Sequence, residues 1–363
     1  MALPRIITIL GARPQFIKAA VLSKHIADVV QEDILHTGQH YDYLMSGALF
    51  EQLELKKPTW HLECHASKHG AMTAKMLESI EVILEQQKPN AVLLYGDTNS
   101  TLAGALAAAK LHVPVWHVES GVRSFNKKMP EEINRIVTDK IADVHFAPSA
   151  VACQNLLNEG VNASSIHNVG DIMYDLFLES ATKEKKIDLP FSDGFLLLTL
   201  HRAENFQNFE DIQMLFKGLE VIAEKYPIIL PIHPRVDKIL RQGDFSISNR
   251  IFLRDPLDYF EMIYALNRCH GVLTDSGGLQ KESYYAVKPC VTIREETEWV
   301  ELVESGWNML VPSAQLWENQ CQVLEFLAAN FEKKQKKNFY GAGNASQKIK
   351  KVIQEILCVK IFL

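Results

Sequence analysis

The residues of this chain best suited to chemistry are acids and cations that stand where an apolar run breaks off. Three carboxylates do so: Asp97 after the run 91–95, Glu119 after 115–118, and Glu131 just past Pro130. Carboxylates can take and return protons near neutral pH and so serve as general acids and bases. Glu131 and Glu132 also complement the dipole of a helix that starts at Pro130. At least one of the two therefore has a structural reading, and Glu131 is the better functional candidate. Thr98 to Ser100 read as caps of the helix after Asp97.

Cations mark other breaks. The first run ends in Gly11-Ala-Arg-Pro-Gln-Phe-Ile-Lys18, a glycine turn with Pro14 at a favourable helix start. Arg13 and Lys18 read either as a solvated helix face or as anion ligands, and the forked guanidinium of Arg13 suits phosphate. A single glycine there excludes the dinucleotide fingerprint G-x-G-x-x-G. His201 with Arg202, and His233 with Arg235, are each open between a satisfied edge pair and an anion clamp. Most specific is Thr274-Asp-Ser-Gly-Gly-Leu-Gln-Lys-Glu282. A strand that runs through Ser276-Gly277-Gly278 into a helix turns unprotected N–H groups and the positive dipole end toward an anion, and glycine permits close backbone approach. Glu282, further along that helix, reads as an acceptor for a ribose hydroxyl pair or as an exposed helix acid.

These residues need elements to position them. Short apolar, β-branched runs bounded by turn residues predict buried parallel strands at 5–10, 33–36, 91–95, 115–118, 144–147 and 166–169, then at 195–200, 228–232, 250–254, 271–274, 290–293 and 308–311. Helical spacing is clearest at 15–29, 71–87 and 102–110. The β-α alternation predicts an α/β protein with two doubly wound, Rossmann-like sheets. Ligands of such sheets bind beyond the carboxyl ends of strands, so the chemistry is expected in loops facing a cleft. The join is expected after Gly170-Asp171, near the charged stretch 183–186, giving domains 1–172 and 173–345. The lysine run 333–337 reads as a solvated helix end, and a last helix from about 346 to 357 has no strand to serve.

Composition narrows the class. The 363 residues are 47% hydrophobic and 23% charged, ordinary globular usage, and the length favours two domains. A net charge of −6 with no basic stripe disfavours nucleic acid. No run approaches the roughly 18 to 20 apolar residues that span a bilayer, and Met1-Ala-Leu-Pro-Arg-Ile runs straight into a strand without a signal-peptide pattern, so a cytoplasmic location is expected. The six cysteines form no C-x-x-C and read as buried thiols.

Taken together, Gly11-Ala-Arg-Pro-Gln15, His36-Thr-Gly-Gln-His40, Gly96-Asp-Thr98, His117-Val-Glu-Ser-Gly-Val-Arg123, Pro130-Glu-Glu-Ile-Asn-Arg135, His201-Arg202, Thr274-Asp-Ser-Gly-Gly-Leu-Gln280 and Arg294-Glu-Glu-Thr-Glu298 resemble the non-hydrolysing UDP-N-acetylglucosamine 2-epimerases, in order and over nearly the whole chain. The resemblance implies a glycosyltransferase-B-like fold, a homodimer, UDP against the second domain, and a last helix (346–363) that packs back onto the first. It implies an isomerase that needs neither metal nor redox cofactor and serves polysaccharide synthesis. UDP leaves C1 as a base takes the C2 proton, and re-adds after the proton returns to the opposite face.

In that scheme Asp97, Glu119 and Glu131 do the acid and base work with His201. Arg13, Lys18, His201, Arg202, His233 and the Ser276-Gly277-Gly278 turn hold UDP together with Glu282, with uracil meeting backbone near 255–262. Gln15, Arg135, Arg294 and Trp299 lie near the sugar. Typical members read Gly-Thr-Arg-Pro-Glu and Thr-Glu-Arg-Pro-Glu where this chain has Gln15 and Thr297-Glu-Trp-Val-Glu301. Those changes resemble the branch that epimerises UDP-2,3-diacetamido-2,3-dideoxyglucuronate. Tyr41-Asp42 after the Gln-His pair departs from members with an allosteric UDP-GlcNAc site. Two rivals are a glycosyltransferase of the same fold and a nucleotide-sugar-binding regulator. Retaining transferases place a second glutamate eight positions after the first, where Cys290 stands here, and three carboxylates near a diphosphate are a needless cost to a mere binder.

Overall fold

The computed structural model describes residues 3–39, 54–65, 68–180, 185–191, 194–201, 209–232, 234–242 and 247–361. The chain divides into two compact units, Met1–Leu176 with Asn338–Leu363, and Phe177–Lys337.

The first unit is built on strands β1 (Arg5–Leu10), β2 (Gln31–His36), β3 (Trp60–His61), β4 (Ala91–Tyr95), β5 (Val115–Val118), β6 (Val144–Ala147) and β7 (Ile166–Asn168). All pair in parallel, in the order β3-β2-β1-β4-β5-β6-β7. Helices α1 (Arg13–Ile26), α2 (His69–Gln87), α3 (Asn99–Lys110), α4 (Pro130–Ile141), α5 (Ala150–Asn158) and α6 (Ile172–Ser180) connect them. The central strands are buried along their length, as continuous apolar runs require when helices cover both faces of a sheet. Edge strand β3 escapes a periodicity reading because two residues carry no period; pairing with Leu35 and His36 alone defines it.

In the second unit β8 (Leu196–Thr199), β9 (Ile228–Pro231), β10 (Ile251–Arg254), β11 (Gly271–Thr274), β12 (Cys290–Thr292) and β13 (Asn308–Leu310) form a parallel sheet ordered β10-β9-β8-β11-β12-β13. Its helices are α7 (Phe209–Lys225), α8 (Pro234–Gln242), α9 (Tyr259–Arg268), α10 (Gly277–Tyr285), α11 (Val300–Glu304) and α12 (Gln320–Ala328). Leu198, Leu230, Leu273 and Val291 lie in the core beneath Leu215, Leu219 and Ile222 of α7.

Winding direction reverses once in each sheet, between β1 and β4 and between β8 and β11. Helices leave opposite faces at such a switch point, so a crevice opens beyond the strands' carboxyl ends. Gly11-Ala-Arg13 and Gly96-Asp97 flank the first switch point, His201 and Asp275-Ser276 the second.

Helix α13 (Ala345–Ile361) belongs to the first unit, against α1. Its first N–H groups, on Ala345 and Ser346, donate to the Asp175 carboxylate at 3.0 and 2.7 Å, which satisfies orphan donors and opposes the dipole. Gly170, at φ +90°, lets the Tyr340 carbonyl come within 2.7 Å of where a Cβ would stand.

Two expectations are corrected. The run 333–337 is not a helix end, since α12 stops at Ala328. The half-buried Lys334 donates to the Gly306 carbonyl at 2.5 Å and lies 5.0 and 5.5 Å from the Phe331 and Trp307 rings, favourable placements for an ammonium. Nor are all the cysteines buried: Cys64, Cys269 and Cys290 are, whereas Cys153 is half-buried and Cys321 and Cys358 are exposed. Burial pushes the Cys269 and Cys290 thiols up to about 12, far from the thiolate form that reacts. Among the described residues no helix is long and apolar enough to cross a membrane.

Candidate active site

In the first unit two of the three carboxylates sit on strand ends, each beside a buried cation. Asp97 follows β4 and accepts from Arg135 Nη2 at 2.5 Å, with its side chain one-third exposed. Arg135, on α4, also pairs through Nη1 with Glu132 at 3.1 Å. Glu119 follows β5 and pairs with Lys18, whose ammonium is nearly buried. Gly96 stands against this pair: a Cβ there would lie in ordinary contact, 3.4 Å from Glu119 Oε2 and 3.7 Å from Lys18 Nζ. Glu119 adopts φ +70°, a left-handed conformation that costs a non-glycine residue about 1 to 3 kcal/mol and persists only where the surroundings enforce it.

The pair after Pro130 divides its work. Glu132 is fully buried and accepts from the Ser124 N–H at 2.9 Å, the Ser124 hydroxyl at 3.0 Å and the Phe125 N–H at 2.9 Å, so it holds the preceding loop. Glu131 is exposed and makes no hydrogen bond or ion pair among the described residues. Arg13, half-buried at the start of α1, is likewise without such a partner. Thr98 caps α3, accepting from the Thr101 N–H at 3.3 Å.

In the second unit the half-exposed His201 is fixed by Asp275. One carboxylate oxygen takes the His201 N–H at 2.9 Å and the other faces Nδ1 at 2.7 Å, which leaves Nε2 to meet a ligand. Asp275 is fully buried. The next residue, Ser276, is the N-cap of α10 but gives the helix no side-chain hydrogen bond. Gly277 and Gly278 have ordinary backbone angles, and among the described residues a Cβ would meet nothing nearer than 3.9 Å at Gly277 and nothing within 4 Å at Gly278. Neither strain nor packing against the described residues calls for glycine, which within a helix costs up to about 1 kcal/mol relative to alanine. A helix N-terminus left bare in this way is shaped for an anion that approaches the backbone closely. Glu282 lies buried in the following turn.

Four residues expected near the sugar are all buried and engaged by the protein. Gln15 accepts from the Gly11 and Ala12 N–H groups at 2.8 and 3.0 Å and donates to the Tyr95 carbonyl and Thr101 Oγ1 at 2.8 and 2.9 Å. Its amide locks the first turn to β4, and a carboxylate could not make the last two bonds. Trp299 donates its indole N–H to the Gly277 carbonyl at 2.9 Å, with the Lys281 ammonium 3.9 Å over its ring. It therefore braces the glycine turn and does not form an open apolar wall. Arg294 is tied to Glu298 at 2.9 and 3.2 Å, and Arg135 bridges Asp97 and Glu132. Arg202, His233 and the residues His40, Tyr41 and Asp42 lie outside the described residues. Among those described, no group of three or more His, Cys, Asp or Glu side chains is placed to hold a metal.

Sequence reasoning missed the buried set His117, Asp139 and Arg123 behind Glu119. His117 lies between the Gly96 carbonyl and Asp139. Burial pushes the Asp139 carboxyl up, but the His117 and Arg123 charges and the Ser120 hydroxyl outweigh it and hold the group well below the usual carboxylate range. His117 and Arg123 stand within the quoted motif, whereas Asp139 carries no local signal; only its helical distance from Pro130 points to it.

Two doubly wound parallel sheets, with a bare helix N-terminus at one switch point and carboxylates at the other, define a glycosyltransferase-B-like α/β protein. The family profile described as UDP-N-acetylglucosamine 2-epimerase matches residues 24–354. The UDP-2,3-diacetamido-2,3-dideoxy-D-glucuronate 2-epimerase of Pseudomonas aeruginosa is 46% identical over 362 residues, covering 97% of this chain and all of that one. The UDP-N-acetylglucosamine 2-epimerase of Methanocaldococcus jannaschii is 38% identical over 361 residues, 95% of this chain and 97% of the other. A crystal structure of a UDP-GlcNAc 2-epimerase from the same organism, in complex with UDP-GlcNAc and UDP, superposes with a TM-score of 0.86 at 36% identity, covering 98% of this chain and 100% of that one. The chain belongs to the UDP-N-acetylglucosamine 2-epimerase family.

Proposed function

We propose that this chain inverts C2 of a UDP-2-acetamido sugar by eliminating and re-adding UDP, with UDP-2,3-diacetamido-2,3-dideoxyglucuronate as its preferred substrate. The C2 proton of such a sugar is not acidic, so direct removal would leave an unstabilised carbanion. In the elimination the C2–H electron pair becomes the C1–C2 double bond, and the C1–O pair leaves with UDP. Re-addition reverses both changes with the proton delivered to the other face.

The groups required are carboxylates for the proton and cations or N–H donors for the departing diphosphate. Asp97, Glu119 and Glu131 supply the first. The α10 N-terminus, His201 and Arg13 supply the second, and Glu282 takes the ribose hydroxyls. The observation that carries the reading is Gly277-Gly278: two glycines that neither backbone angle nor any neighbour among the described residues requires, at the switch point where a phosphate would need the space. The choice of sugar rests on the 46% likeness over full length to the diacetamido glucuronate enzyme, since Gln15 and Trp299 have structural work of their own. A homodimer acting in the cytoplasm, in the synthesis of a surface polysaccharide, completes the proposal.

A panel of UDP-sugars incubated in deuterated water and followed by NMR tests it. The expected result is epimer carrying deuterium at C2, with kcat/KM highest for the diacetamido glucuronate. Epimerisation of UDP-GlcNAc with equal or higher kcat/KM would overturn the choice of sugar. Turnover without C2 exchange would overturn the reaction.

A further inference from the structure

We propose that His117 and Asp139 form a buried strut that holds the strand ends bearing Asp97 and Glu119 in one fixed arrangement, which makes both of them positioning residues for the proton transfers. The meaning given to Asp97 and Glu119 rests on the epimerase reading above; the strut rests on geometry. His117, on β5, is wholly inaccessible. Its Nε2 meets the Gly96 carbonyl at 2.7 Å and its Nδ1 meets Asp139 Oδ1 at 2.6 Å. Carbonyl and carboxylate oxygens only accept, so each contact is a hydrogen bond when the facing ring nitrogen carries hydrogen. One imidazole thereby joins the turn that presents Asp97 to helix α4.

Asp139 extends the connection past Glu119. It takes the Ser120 hydroxyl at 2.5 Å and the Gly121 N–H at 2.9 Å, and Arg123 Nη1 at 2.7 Å. Arg123 is in turn held by Glu159 through two bonds of 2.7 and 2.8 Å. Glu119 is therefore bracketed by His117 two residues before it and by Ser120 and Gly121 after it, all bonded to a single carboxylate. This explains how its left-handed backbone is enforced. Gly121 itself packs backbone against backbone, since at φ +81° a Cβ would fall 2.2 Å from the Ala152 carbonyl. A buried ion network is an inefficient way to gain stability, since apolar residues of similar volume often do as well. What it supplies here is geometry, at the two loops where misplacement of about 1 Å would cost about 100-fold in rate.

The test compares full-length Asp139→Asn, His117→Asn, His117→Gln and Ser120→Ala with the parent. The Asn amide can occupy the place of Nδ1 and keep the bond to Asp139, whereas Gln can reach the Gly96 carbonyl. Neither spans both. The readouts are kcat, KM, UDP affinity, the isotope effect with C2-deuterated substrate, and UDP freed per epimer formed. All but kcat are independent of the fraction of enzyme that folds. Expected are a kcat about 100-fold lower in Asp139→Asn and both His117 variants, UDP affinity within about twofold, a larger isotope effect, and more UDP freed per epimer as the intermediate escapes unprotonated. Ser120→Ala, the mildest change, should shift the isotope effect in the same direction. An isotope effect and UDP-to-epimer ratio equal to the parent's in every variant would overturn the strut while leaving the epimerase reading intact. A parent enzyme that exchanges no C2 proton would overturn that reading and the strut's role with it.

Discussion

At the scale of single residues the proposed proton transfers rest on carboxylates whose settings differ. Asp97 and Glu119 each face a buried cation, whereas Glu131 stands exposed at a helix start. Asp97→Asn, Glu119→Gln and Glu131→Gln should each lower kcat by about 100-fold or more with UDP affinity nearly unchanged, as steady-state rates and calorimetry would report. Near-parental turnover would remove that residue from the proton-transfer set. Gly278 offers a test of opposite signs. A Cβ there meets nothing within 4 Å among the described residues, so Gly278→Ala should raise thermal stability, by up to about 1 kcal/mol, and yet weaken UDP binding. Unchanged UDP affinity in the more stable variant would contradict the anion site. Residue types at strand ends made the catalytic candidates legible in sequence. Partners did not, because whether Gln15 faces a ligand or bonds the Tyr95 carbonyl depends on which loops the sheet order brings together.

Elements were legible where their periods were long. The buried strands announce themselves as apolar runs such as 91–95, and the amphipathic spacing of 71–87 marks α2. Short β3 and the tied-down lysines near Lys334 have no period to read, and only tertiary contacts define them. One strand carries a conflict that the sequence pattern hides. Glu32 of β2 is buried, its Oε1 2.5 Å from the Thr8 hydroxyl of β1, and burial pushes its carboxyl above the usual range despite the hydrogen bond from Thr8. A raised value means that the neutral form is favoured by folding. The stability it brings is complete below the unfolded value near 4.5 and is lost as pH rises through the folded one. Glu32→Gln keeps an acceptor for Thr8 and cannot ionise. Its melting temperature should match the parent's at about pH 4 and exceed it increasingly toward about pH 9; a constant difference across that range would contradict a raised carboxyl.

The whole molecule combines two sheets with a single reversal each, and Arg13 and Asp97 flank one reversal as His201 and Ser276 flank the other. The sheet order that creates the switch points cannot be read from strand spacing, which is why sequence located the candidate loops without showing which of them meet. In solution, light scattering should report twice the mass of the chain, and a monomer at working concentration would contradict the proposed homodimer. The central claim is that the C1–O bond to UDP breaks and re-forms during each inversion. Positional isotope exchange measures this directly, using UDP-sugar labelled with oxygen-18 in the bridge between C1 and the β-phosphorus. Elimination frees the β-phosphate to rotate before re-addition, so the account expects the label to spread into non-bridging positions of recovered substrate and epimer alike. Epimer formed with all of its label still in the bridge would mean that C2 inverts without loss of UDP, and would contradict the account.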